Sequence, residues 1–148
     1  MTSMAISNLA LQDLGFLIGD WTIKILPSAD ADSIVRGRTR FEWAEGGAFL
    51  AMRTNPGPGG PPPSISLIGR DETGDAYRML YFNERGESRV YNMSFEADTL
   101  KIWRSTPRFF QRFEGKLEGN GKICAQVEKC LDGLNWKPDF QIIYQRVE

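Results

Sequence analysis

Arginine, tyrosine and glutamine are the residues of this 148-residue chain whose types and spacing could do chemistry, because histidine is absent. That absence removes Ser-His-Asp and Cys-His nucleophilic catalysis, the commonest metal ligand and the usual proximal haem ligand. Cys124 and Cys130 cannot supply a zinc site by themselves. The carboxylates Asp20, Glu42, Asp71, Glu114 and Asp139 are spread over separate predicted strands, so no acid–base pair can be named. No catalytic residue and no metal ligand is therefore assigned. What remains is recognition. Arg89 or Arg104, helped by Tyr77, Tyr81 or Tyr91 and by Gln111, could meet the carboxylate or phosphate of a mostly apolar ligand. An apolar cavity with a few convergent polar groups is the usual form of a small-molecule site. The competing reading pairs these arginines with acids such as Asp71 or Asp139, or turns them to solvent, because an unpaired buried charge is very costly.

The elements that must position these residues are strands. Residues 8–15 read as a short helix, with Asn8 as N-cap, Gly15 as its stop, and Leu11 and Leu14 on the apolar side. From Gly19 onward the period is two, and turn residues recur about every ten residues. Strands are predicted over 19–26, 34–44, 48–54, 64–71, 75–82, 87–95, 99–105, 108–117, 122–131 and 135–146. The clearest alternation puts Val35, Gly37, Thr39, Phe41 and Trp43 on one face and Arg36, Arg38, Arg40 and Glu42 on the other. Alternation also turns Tyr77, Met79, Tyr81, Arg89, Tyr91, Met93, Phe95, Leu100, Ile102 and Arg104 inward. Phe109, Gln111, Phe113, Ile123, Ala125, Val127, Phe140, Ile142, Tyr144 and Arg146 complete that inward set. The third and fourth strands are apolar on both faces and have no readable phase, and Trp103 on the opposite face leaves the phase of the seventh strand open.

Ten strands joined by short turns make an all-β, antiparallel up-and-down meander, which is best stabilised by closing into a barrel. A single domain spanning 1–148 follows, and a barrel this wide is expected to hold an internal cavity. The segment Asn55–Pro63, rich in Pro and Gly, reads as a long loop at the barrel mouth or as a lid over it.

Composition is that of an ordinary globular domain, with 41% hydrophobic and 25% charged residues and a net charge of −1. Such a charge offers no field for nucleic acid or an anionic membrane. The arginines at 36, 38 and 40 read as a solvated strand face rather than a nucleic-acid stripe. No apolar run approaches a membrane span, and residues 1–5 lack the features of a signal peptide, so a cytoplasmic location is expected. The two cysteines sit six apart on one strand, about 20 Å at roughly 3.3 Å per residue, which is beyond disulfide reach.

Gly19-Asp20-Trp21 opening the first strand, with Arg146 in the last, resembles the calycin barrels: lipocalins, fatty-acid-binding proteins and nitrobindin-like proteins. Ten strands suit the latter two branches. The blocks Phe41–Leu50, Tyr81–Gly86 and Asp132-Gly133-x-x-Trp136 look like a bacterial family of small calycin-like proteins of unassigned function. The resemblance implies a guanidinium stacked on the Trp21 indole at the closed end, worth about 0.5–2 kcal/mol. Nitrobindin-like proteins hold haem through a histidine, so His-ligated haem is excluded here and no cofactor is expected. The leading expectation is a binding protein for a small apolar or amphipathic molecule, such as a fatty acid, held in the lumen. The alternatives are an enzyme acting on a small hydrophobic substrate in the cavity, and a module with a filled barrel that dimerises through its outer wall.

Overall fold

The computed structural model describes residues 9–27, 34–72, 76–106 and 109–148. The expected cap at Asn8 and the turns at Ser28, Thr73-Gly74 and Pro107 lie outside these residues. Ten strands follow a 3-10 helix: β1 (Gly19–Pro27), β2 (Val35–Ala44), β3 (Phe49–Asn55), β4 (Ser64–Arg70), β5 (Tyr77–Asn83), β6 (Ser88–Glu96), β7 (Thr99–Thr106), β8 (Phe109–Glu118), β9 (Lys122–Cys130) and β10 (Lys137–Arg146). Each pairs antiparallel with its neighbours in sequence, and β1 pairs with β10, so the sheet closes into the expected barrel.

The helix runs over Leu9–Leu17, past the expected stop at Gly15. Its buried residues are Leu11, Leu14 and Leu17. A spacing of three matches the three-residue turn of a 3-10 helix, which lines these leucines up on one edge. They plug the barrel with Trp21, Phe41, Leu50, Ile68, Met93, Leu100 and Ile123, leaving only about 20 Å³ unfilled in that half.

The Trp21–Arg146 clasp at this end is as expected. The two residues are cross-strand partners, and the guanidinium carbon lies 4.3 Å from the indole centroid. Trp21 Nε1 donates to Leu17 O at 2.8 Å. Arg146 Nη1 donates to Ile18 O at 2.8 Å, and Nη2 donates to Phe16 O. One side chain therefore ties the helix terminus to the first and last strands. Gly19 lies beneath it at φ 129°, where a β-carbon would stand 3.0 Å from Arg146 Nη1.

The outer wall is laced by exposed ion pairs: Arg40–Asp20, Arg53–Glu42, Arg78–Asp71, Lys101–Glu114, Arg112–Glu128 and Lys129–Asp139. Each is worth little for stability, but together they account for all five carboxylates considered for acid–base work. The Pro/Gly loop is stitched to β2. Pro56 is fully buried, and a β-carbon on Gly37 would meet Asn55 O at 2.2 Å. Asp139 is skipped in the β9–β10 register, a bulge that bends β10 near the mouth.

The phase of β3 and β4 is now fixed. Leu50, Met52, Ser66 and Ile68 face inward, whereas Ile65 and Leu67 face outward beside Phe82 and Leu80. Phe82, Leu80 and Val90 are 43%, 41% and 54% exposed, so the outer wall here is itself apolar.

Candidate functional site

The half of the lumen away from the helix is open. A cavity of about 160 Å³ is walled by Met52, Met79, Ile102, Phe113, Val127, Phe140 and Ile142, with Ser64, Ser66, Tyr81, Tyr91, Gln111 and Tyr144 as its polar members. No carboxylate is among these. The Pro/Gly loop contributes no residue between 55 and 63, so in this structure it is a strap on the wall and not a lid.

Adjacent strands bring five of the six sequence-predicted site residues together. Tyr81 on β5 is the cross-strand partner of Arg89 on β6, and Arg104 on β7 is the partner of Gln111 on β8. Two residues along from Arg89, Tyr91 points into the same space. Arg89 Nη1 donates to the Tyr91 hydroxyl at 3.5 Å, and that hydroxyl donates to Gln111 Oε1 at 2.8 Å. Burial pulls the Arg89 guanidinium's affinity for its proton down, but the hydrogen bond to Tyr91 and the nearby Tyr81 and Glu87 outweigh it, and the net direction is upward. Tyr81 and Tyr91 meet edge to face, 6.1 Å between centroids.

The two guanidinium groups share one ring. The carbon of Arg89 lies 5.7 Å from the Phe109 centroid and that of Arg104 lies 5.9 Å from it. Arg89 also stands 5.4 Å over Tyr81, and Arg104 stands 6.0 Å over Tyr91. Neither pairs with Asp71 or Asp139, whose partners are Arg78 and Lys129. The Nε of Arg104 is buried without a hydrogen-bond partner, the one such side-chain atom among the described residues. Aromatic faces soften the cost of holding two cations here, but they do not accept the buried N–H.

Tyr77 is the exception. It sits in the plugged half, under Arg70 at 5.7 Å; of the other five, Tyr81, Tyr91 and Gln111 line the cavity, whereas Arg89 and Arg104 stand over Tyr81 and Tyr91 beyond its lining. Burial, then Asp13, raises its phenol, and Arg70 opposes them. Its inward phase was legible, but its height along the barrel axis depends on strand stagger, which the sequence does not display.

Sequence reasoning missed two features. Ser64 and Ser66 line the cavity from a strand whose phase was unreadable. Tyr144, placed inward but not singled out, forms the cavity floor, lining both the open half and the plug. It is 7% exposed, and burial alone pushes its phenol well above the ordinary tyrosine range.

Among the described residues no cluster of three potential metal ligands occurs, and no helix is long and apolar enough to cross a membrane. No family model and no curated protein matches the chain. The crystal structure of Rv2717c from M. tuberculosis is similar to it, with a TM-score of 0.63 at 13% identity, over 95% of this chain and 99% of that one. At that identity the likeness carries the barrel architecture alone.

Proposed function

We propose that the protein binds a small, largely apolar molecule in the open half of its barrel. The observation that carries this reading is the asymmetry of the lumen. Side chains fill the half beneath the helix, whereas about 160 Å³ is left open in the other half, among apolar walls and a few polar groups. A barrel serving only as a scaffold would gain by filling both halves, because an unfilled cavity costs stability. An enzyme working by acid–base chemistry would need a carboxylate or another titratable group in the wall. Only tyrosines are there among the described residues. The Gly19, Trp21 and Arg146 clasp supports a calycin-like lineage, and two cysteines held apart on one strand suit a reducing compartment.

Native mass spectrometry of protein from its own source, with a thermal-shift panel of small apolar and amphipathic compounds, tests this. A co-purified small molecule, or a shift that saturates with one compound class, is expected. A chain that is reproducibly empty and shifts with nothing would overturn it.

A further inference from the structure

We infer that the ligand is a single-ring aromatic carboxylate, with its ring in the cavity and its carboxylate between Arg89 and Arg104. This rests on the lumen-binding reading above and narrows it by size, charge and polarity.

Size comes first. A cavity of about 160 Å³ is close to the roughly 150 Å³ apolar cavity that accepts benzene, and it is below the usual volume of drug-sized sites. The bent chain of a long fatty acid does not fit, so the fatty-acid expectation narrows to a ring. The walls suit a ring: Met52 and Met79 offer polarizable sulfur, and Phe113 offers an aromatic face.

Charge comes second. The outer-wall carboxylates are taken by other cations, whereas Arg89 and Arg104 lie 5.7 and 5.9 Å from the Phe109 centroid and neither makes an ion pair with them. Two guanidinium groups side by side repel unless an anion lies between them. A carboxylate has two oxygens and accepts from both arginines at once, including the orphaned Nε of Arg104. The Tyr91 hydroxyl is already committed to Gln111, so the Arg89–Tyr91–Gln111 chain holds the rim in place before a ligand arrives. Gln111 accepts through Oε1, which leaves its amide N–H groups to donate.

Polarity at the far end comes third. Tyr144 lines the cavity floor and carries its phenol there, whereas neither arginine is among the lining residues. A hydroxyl or carbonyl opposite the carboxylate would partner that phenol, so a ring substituted at both ends fits better than benzoate itself.

Isothermal titration of the full chain with benzoate, 4-hydroxybenzoate, benzyl alcohol and decanoate tests the assignment. Benzoate is expected to bind about tenfold or more tighter than benzyl alcohol, its neutral counterpart, and 4-hydroxybenzoate tighter still. Arg89→Met and Arg104→Met should each weaken benzoate about tenfold while leaving benzyl alcohol unchanged, which also reports that the variants are folded. Tyr144→Phe should erase only the advantage of 4-hydroxybenzoate. Equal binding of benzoate and benzyl alcohol, or arginine variants that bind benzoate as the parent does, overturns the carboxylate assignment and leaves the lumen reading standing. Decanoate binding tighter than every ring compound overturns the size argument. Binding of none of the four overturns the aromatic-carboxylate assignment, and the lumen reading then rests on the native mass spectrum and the wider panel.

Discussion

Arg146→Met isolates the clasp at the closed end, because methionine keeps most of the apolar stem and removes the guanidinium. The substitution deletes two hydrogen bonds to the carbonyls of Phe16 and Ile18 and the cation held 4.3 Å over Trp21. A hydrogen bond to a charged group contributes about 1.5–3 kcal/mol, and a cation–π contact about 0.5–2 kcal/mol. Arg146 is half-buried, so water recovers part of what the carbonyls lose. The expected net loss is about 2–4 kcal/mol, or roughly 4–16 °C at about 2–4 °C per kcal/mol for a chain near this size. Urea unfolding followed by tryptophan fluorescence should show a lower midpoint with an unchanged slope. A double-mutant cycle with Trp21→Phe should return a coupling of about 0.5–2 kcal/mol. Binding in the lumen, measured well below the melting temperature, should survive, because the clasp lies beneath the plug. A loss below about 1 kcal/mol would refute the reasoning, and so would full stability with lost binding.

Three further outcomes are expected. Gly37→Ala puts a β-carbon 2.2 Å from Asn55 O and 2.5 Å from Pro56 C, both backbone atoms, so it should cost at least about 1–3 kcal/mol by calorimetry and loosen the Pro/Gly strap to protease. Ala97 and Asp98 turn β6 into β7 with φ of 52° and 60°, a conformation that asparagine tolerates better than alanine, so Ala97→Asn should raise the melting temperature by about 1–4 °C. Burial raises the Tyr144 phenol above its unfolded value near 10. Its contribution to stability is therefore fully present below about pH 10 and is lost as pH rises toward the folded value. Alkaline unfolding curves should steepen in that window, and Tyr144→Phe should flatten them.

The strands were legible because turn residues punctuate them and because most of them outside β3, β4 and β7 alternate. Trp103 clouded the phase of β7: an exposed indole on the outer face competes with Ile102 and Leu100 for the apolar side. The phase of β3 and β4 was illegible for a related physical reason. On β4 the apolar Ile65 and Leu67 face outward beside the exposed Phe82 and Leu80 of β5, while its inward positions include Ser64 and Ser66, so polarity does not track facing. The site was readable as a face but not as a place. Alternation turned Tyr77 and Tyr81 inward together, yet only the stagger of the closed sheet sends one to the plug and the other to the mouth. The pairing of Arg89 with Arg104 over Phe109 likewise needed β6, β7 and β8 in register. Cavity volume was beyond reach, since it depends on how deep the three leucines of the helix descend.

The seam between β1 and β10 also sets the order in which the barrel can be built. During synthesis, Trp21 emerges early and its partner Arg146 almost the full length of the chain later. Until then β1 and the newest strand are two unpaired edges of a growing sheet, each a template for a foreign strand. Joining them requires closing nearly the whole chain into a loop, the contact of greatest sequence separation in the fold. The guanidinium that locks the helix to the barrel thus arrives only with the last strand. A ribosome stalled before β10 would carry a nascent sheet whose plug is made but whose clasp is not.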